Sequence, residues 1–328
     1  MTLKFEAACP ATPAQLAAIE GVNYYSPFNT AAYAAACAEA GQTICTFALR
    51  DDSDLVAGCL GLLGTGLLSR RLEIVSPPRL SQPSVFWDGV MAFSRAQKVW
   101  DLEIRSYGSE GVEIPALPGE LTRRKRCEFV LDLSLPDPLS GISESIRRNL
   151  RRARKAGFSL HRTRERMALE DHFTLIQASM DRRQARGEEV PDDEAEDTEA
   201  VCFSEALLKS GAAEIFQATD GQRVMTSYVV VRSDFSACTY SSGVSPEGMH
   251  NGASAWLLTE LAGLLKNEGT RWLNLGGAGE GETGIQYFKS GFGGQQVSLE
   301  EATFSFASPA RQNLRTAARM IRRMVNSS

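Results

Sequence analysis

The chain has 328 residues, 43% hydrophobic and 23% charged, with a net charge of −5, an ordinary globular balance with length for two cores. No apolar run reaches the roughly 18–20 residues of a membrane span. The start, Met1-Thr-Leu-Lys-Phe-Glu, offers no hydrophobic secretory region, so a cytoplasmic location is expected.

Seven dispersed cysteines without a C-x-x-C pair predict buried free thiols rather than a disulfide framework or zinc site. Three histidines (His161, His172 and His250) stand at no metal-ligand spacing, so no metal is expected. Charge is segregated: residues 147–166 hold eight Arg and one Lys against one Glu, and residues 188–199 hold eight acidic residues and no basic one. Such blocks either solvate a surface or, for the basic one, face an anionic partner such as tRNA, a nucleotide sugar or a phospholipid surface.

In chain order, residues 43–50 and 55–63 read as strands about a turn at 51–54, and 99–107 and 127–133 as two more. Leu135-Pro-Asp-Pro138 interrupts regular structure and separates a unit over 1–138 from one over 139–328. A helix is predicted over 142–156, with Ile142, Ile146, Leu150 and Ala153 as its apolar stripe, Ser140 or Ser143 as cap and Gly157 as stop. Strands at 213–219, 224–232 and 235–244 form a meander. A loop at 245–252 leads to a helix over 253–268, then a strand at 271–275, a glycine-rich exit at 276–279, a short helix at 284–290 and a strand at 299–306. Matched strands recur at offsets of 170, 171 and 175 residues (Thr43 to Ala213, Leu102 to Leu273, Phe129 to Phe304). The expected fold is therefore α/β (α+β), built as two tandem units, each a mixed, mostly antiparallel sheet flanked by helices.

Short motifs sharpen this. Ile146-Arg-Arg-Asn-Leu-Arg-Arg-Ala-Arg-Lys-Ala-Gly157 resembles the R-x-N-I-R-K-A-x-K-x-G helix that opens the second domain of Fem-type aminoacyltransferases, which have the GNAT acyltransferase fold. Tyr240-Ser-Ser-Gly243 is similar to their Y-x-x-G strand. Asn274-Leu-Gly-Gly277 followed by Gly284-Ile-Gln-Tyr-Phe-Lys-Ser-Gly-Phe-Gly293 is similar to their G-I-x-x-F-K-x-x-F-G segment. Ser26-Pro-Phe-Asn-Thr-Ala-Ala-Tyr33 resembles a substrate-side motif more loosely. The resemblance implies two GNAT-like domains that transfer an acyl or aminoacyl group to an amine of a cell-envelope precursor: a peptidoglycan peptide, an amino sugar or a lipid-linked polysaccharide. It implies no tightly bound cofactor. The long helical arm some of these enzymes carry is lacking, which leaves acyl-CoA and aminoacyl-tRNA both open as donor.

Transfer to an amine requires an uncharged nucleophile and a stabilised oxyanion. Lys289 is the first candidate for the second task, since the matching lysine in the family lies near the reacting centre; otherwise it caps a short helix. Tyr240 either relays a proton or bonds substrate, or is a structural tyrosine. Phe288 is substrate wall or core. Asn274, Gly276 and Gly277 end a strand where a GNAT sheet splays towards its donor. Asn251 and Gly252 precede a helix N-terminus whose N–H groups suit phosphate, or form a plain connection. Arg182 and Arg183 lie where the family carries an arginine for acceptor phosphates. Asn29, Tyr33, Trp87 and Asp88 are candidate acceptor contacts in the first half, Trp87 being equally a core aromatic. Over 308–325, Leu314, Ala317, Ala318, Ile321 and Val325 line one helical face beside Arg311, Arg315, Arg319 and Arg322. Such a helix either makes peripheral contact with anionic membrane or docks on the protein. A rival class is a non-catalytic module binding RNA or an anionic glycan.

Overall fold

The computed structural model describes residues 3–66, 69–108, 112–185, 187, 198–279 and 282–307. The chain begins with β1 (Leu3–Ala8), α1 (Pro13–Val22) and α2 (Ala31–Glu39), then β2 (Thr43–Asp51), β3 (Asp54–Gly66), β4 (Ser69–Ile74), α3 (Pro83–Ala96), β5 (Asp101–Ile104) and β6 (Glu120–Asp132). After α4 (Glu144–Ala156) much the same order returns. It runs β7 (Ser159–Thr163), α5 (Arg166–Gln184), α6 (Thr198–Ser210), β8 (Ala213–Thr219), β9 (Val224–Arg232), β10 (Ser236–Val244), α7 (Pro246–His250), α8 (Ala253–Asn267), β11 (Trp272–Gly279), α9 (Thr283–Ser290) and β12 (Gln295–Ser305).

Among the described residues, twelve strands join one sheet in the order β1-β2-β3-β4-β5-β12-β6-β11-β10-β9-β8-β7. The last strands of the two series are exchanged. β12 pairs with β5, β6 pairs with β11, and β6 and β12 run antiparallel through the middle. First-half residues on β6 are thereby delivered to a strand of the second half.

Local chemistry explains the boundaries. Ser143, not Ser140, caps α4 by accepting from the Ile146 N–H, and Gly157 ends it at φ 69°. Asp220 accepts from the N–H groups of Gln222 and Arg223, which fixes the β8–β9 turn. Alternation along β6 sends Cys127, Phe129 and Leu131 into a core with α4 and α8, and turns Arg126 and Glu128 to the opposite face. On that opposite face, helices α1, α2, α5 and α6 share one apolar core, from Ile19 and Ala34 to Ile215 and Val229.

Three expectations need correction. Cys9 and Cys45 are bonded, with Cα atoms 4.4 Å apart. The β1–β2 register sets Ala8 against Thr46, which brings these two thiols together although they are 36 residues apart in sequence. Cys37, Cys59, Cys127 and Cys238 are free and buried, and Cys202 is free and exposed. The stretch expected as a strand over 99–107 is regular only over Asp101–Ile104, and Ser106 takes a positive φ of 57°. The loop expected over 245–252 holds the short helix α7. The candidate helix at 308–325 and residues 188–197 of the acidic block lie outside the described residues.

Candidate active site where two strands part

β10 and β11 pair in parallel only from Ser236 and Trp272 to Cys238 and Asn274. Beyond that, β10 is irregular between Thr239 and Ser241, and β11 between Asn274 and Gly277. The parallel ladder between the two strands ends there. At the equivalent place in the first half the sheet stays closed: the Arg105 N–H donates to the Ile74 carbonyl at 3.0 Å and the Tyr107 N–H to the Val75 carbonyl at 2.8 Å.

Three predicted residues build one edge of the opening. The Asn274 side-chain oxygen accepts from the Gly276 N–H at 2.8 Å. Gly276 has φ +79°, and a Cβ there would stand 2.8 Å from the Thr239 carbonyl, so only glycine fits without strain. Gly277 packs on the Arg126 guanidinium. From the last turn of α9, Lys289 donates to the Gly277 carbonyl at 2.8 Å. Burial pushes the Lys289 pKa down, while Cys238, Glu128 and Glu282 act to raise it. Phe288 beside it packs edge-on against Phe292 in the core.

The opposite edge carries Tyr240. The residue is 38% exposed, yet burial pushes its phenol pKa up, helped by Tyr107, Glu73 and Cys37. Tyr33 is buried and its pKa is raised by burial, then by Cys37 and Tyr240. Phe203 touches both rings, at 6.2 Å from Tyr33 and 6.3 Å from Tyr240.

Beneath these groups the middle strands carry ion pairs: Arg71 with Glu103, Arg105 with Glu73 at 3.0 Å and with Glu103 at 2.6 Å, and Arg126 with Glu128 and, at 2.9 Å, with Glu301. Tyr107 lies under the Arg126 guanidinium at 4.3 Å, and burial raises its pKa. Sequence reading missed Glu73, Arg105, Tyr107, Arg126 and Glu128. The available signal was Glu128 itself, a carboxylate set between Cys127 and Phe129 in an apolar strand.

The other predicted residues are more dispersed. Arg183 pairs with Glu282 at 3.4 Å, so the end of α5 reaches the start of α9; Arg182 bonds Ser179 Oγ at 3.0 Å. Asn251 ends α7, and Gly252 starts α8 at φ +76°, where a Cβ would meet the Asn149 carbonyl at 2.5 Å. Helix α4 therefore lies against that turn. Asn29 spends its amide on backbone, donating to the Ser76 carbonyl at 2.9 Å and accepting from the Leu60 N–H at 2.8 Å. Trp87 sits in the α3 core on the other face of the sheet, and Asp88 is exposed on α3. These last three are not brought to the opening. A groove between α5 and α6, lined by Leu169, Phe173, Gln177 and Val201, holds none of the predicted residues. Among the described residues no group of three His, Cys, Asp or Glu is arranged to hold a metal, and no helix is long and apolar enough to cross a membrane.

Residues 142–290 match the family described as Acetyltransferase (GNAT) domain. The chain superposes on the crystal structure of FemX with a TM-score of 0.64 at 11% identity, covering 90% of this chain and 96% of that one. It superposes on a tandem GNAT protein from the clavulanic acid biosynthesis pathway with a TM-score of 0.52 at 12% identity, covering 94% and 99%. For L-PGS from Bacillus licheniformis the TM-score is 0.53 at 13% identity, covering 92% and 94%. No curated protein matches in sequence. Residues 142–290 thus match a GNAT domain, and the chain as a whole shares the fold of these solved structures.

Proposed function

We propose that the protein transfers an acyl or aminoacyl group to an amine of a cell-envelope precursor, at the opening between β10 and β11. The observation that carries this is the Lys289 ammonium, half-buried against the Gly277 carbonyl where the two strands part. In the reaction the neutral amine of the acceptor attacks the donor carbonyl, the N–C bond forms, and the amine proton leaves. The tetrahedral oxyanion then collapses with loss of the thiol or ribose hydroxyl that carried the acyl group. Lys289 supplies positive charge to that oxyanion. Tyr240 on the facing strand bonds the acceptor or relays its proton. Tyr33 and Tyr107 approach from the first half, so acceptor recognition is shared between the halves.

On this reading the donor is acyl-CoA or aminoacyl-tRNA, bound as a substrate, and the acceptor is a small or lipid-linked molecule met in the cytoplasm or at the inner membrane face. A second reading, a non-catalytic binder of RNA or an anionic glycan, is favoured by α4. Its Arg147, Arg148, Arg152, Arg154 and Lys155 are all exposed, on the side away from the buried Ile146 and Ala153. Thermal unfolding with acetyl-CoA, long-chain acyl-CoA, free CoA, aminoacyl-tRNA and UDP-linked amino sugars tests the donor. A ligand present at about 100 Kd stabilises by roughly 2.7 kcal/mol. Stabilisation by a donor, with product formed by wild type and lost in a Lys289 variant, supports the enzyme. Binding without product in the presence of any of these acceptors supports the module.

A further inference from the structure

We infer that Glu128, a first-half residue carried across the sheet by strand exchange, is the positioning residue that couples the Lys289 centre to the first half of the chain. This rests on the proposed transfer reaction for its catalytic meaning, but not for its geometry.

Glu128 is 2% exposed, and an unpartnered carboxylate at that depth is strongly disfavoured. Its partners define its role. Oε2 accepts from the Asn274 side-chain N–H at 2.6 Å and from the Gly108 backbone N–H at 3.0 Å, while Oε1 accepts from Arg126. The Asn274 bond holds that amide so that its oxygen takes the Gly276 N–H. This sets the irregular turn whose next carbonyl, on Gly277, receives Lys289. The Gly108 bond fixes the residue after Tyr107, whose ring lies under Arg126. One carboxylate therefore holds both the turn that seats the ammonium and the first-half tyrosine near Tyr240. Neither half supplies this arrangement alone, because β6 belongs to the first half in sequence and pairs with β11 of the second.

The test is Glu128→Gln in the full chain, read first without substrate. Trace acetylation of the native protein with acetic anhydride across pH, with the Lys289 peptide followed by mass spectrometry, gives the protonation midpoint of that lysine. The charged groups acting on it are Glu128, Glu282 and Arg126, beside the buried Cys238 thiol. Removing the Glu128 charge is expected to move the midpoint to lower pH by about one unit. Glu128→Asp, which keeps the charge, should return it towards the wild-type value. Arg126→Gln removes the opposing cation and should move it upward, which keeps the inference testable if Glu128→Gln does not fold. An unchanged midpoint in folded Glu128→Gln, or a downward shift in Arg126→Gln, overturns it. In turnover, Glu128→Gln should lower kcat by about tenfold to a hundredfold with little change in KM, and the alkaline limb of the rate profile should follow the labelling midpoint. Absence of turnover with every donor would count against the proposed reaction and leave the labelling result to decide the role of Glu128.

Discussion

Lys289 Nζ lies 2.8 Å from the Gly277 carbonyl and 3.1 Å from the place a Cβ on Gly276 would take. The added methyl of Gly276→Ala would also stand 2.8 Å from the Thr239 carbonyl, on a backbone at φ +79°. Neither the carbonyl nor the φ can relax cheaply, so the variant should lose about 1–3 kcal/mol of stability. Denaturant unfolding measures this. Activity should fall further than the unfolded fraction explains, because the ammonium is displaced as well.

Removing the cation while keeping the side chain's bulk isolates its chemistry. Lys289→Met should lower kcat by about 10²–10³-fold, the loss seen for a single oxyanion donor. Tyr240→Phe keeps the ring against Phe203 and removes only the hydroxyl, with an expected loss of about tenfold for a bond worth about 1.4 kcal/mol. Steady-state rates on folded protein check both, and unchanged kcat in both would remove the site from this opening.

Periodicity and turn chemistry show through where one face of an element is apolar and its ends carry strong signals. β8 and β9 run over the residues expected for them, and α8 stops one residue short of the expected end. Thr12 and Gln15 form a capping box for α1, but the alanine-rich helices α1 and α2 have little apolar contrast to announce them. The second-half edge of the candidate site, Asn274 to Lys289, is local in sequence, and its residues are candidates from the sequence alone. Its other wall is not local. Glu128 reaches the site because β6 pairs with β11 of the second half, and Tyr107 is held by the Val75 carbonyl and Glu73 by its place on β4, all outcomes of long-range pairing that no window of residues encodes. Asn29, a candidate acceptor contact in the sequence, is buried with its side chain bonded to the backbone of Leu60 and Ser76, partners 31 and 47 residues away that no local window shows.

That pairing gives Asn29 a structural test. Asn29→Ala removes both partners of two buried backbone groups, the Leu60 N–H and the Ser76 carbonyl. Each unsatisfied buried group costs about 1–3 kcal/mol, so a loss of about 2–4 kcal/mol is expected in denaturant unfolding. Residual turnover should track the folded fraction; a kcat loss in fully folded protein would instead place Asn29 at the acceptor.

His172 gives a pH dependence whose sign is fixed by burial. It is fully buried on α5, with Nδ1 at 3.0 Å from Ser227 Oγ and Nε2 at 2.8 Å from Ser241 Oγ, next to Tyr240. Burial lowers its pKa from 6.5 to about 4, the Ser227 bond opposing slightly. Between those values the unfolded chain binds a proton that the folded chain refuses, so stability falls as pH drops from 6.5 towards 4. Going from pH 7 to pH 4.5, this one group should remove about 2 kcal/mol. His172→Gln should be less stable at neutral pH, having lost one of two buried bonds, but should show an acid loss smaller than wild type by that amount. Urea unfolding at the two pH values measures the difference. Parallel acid curves for the two proteins would mean that His172 is protonated, or solvated, in the folded chain.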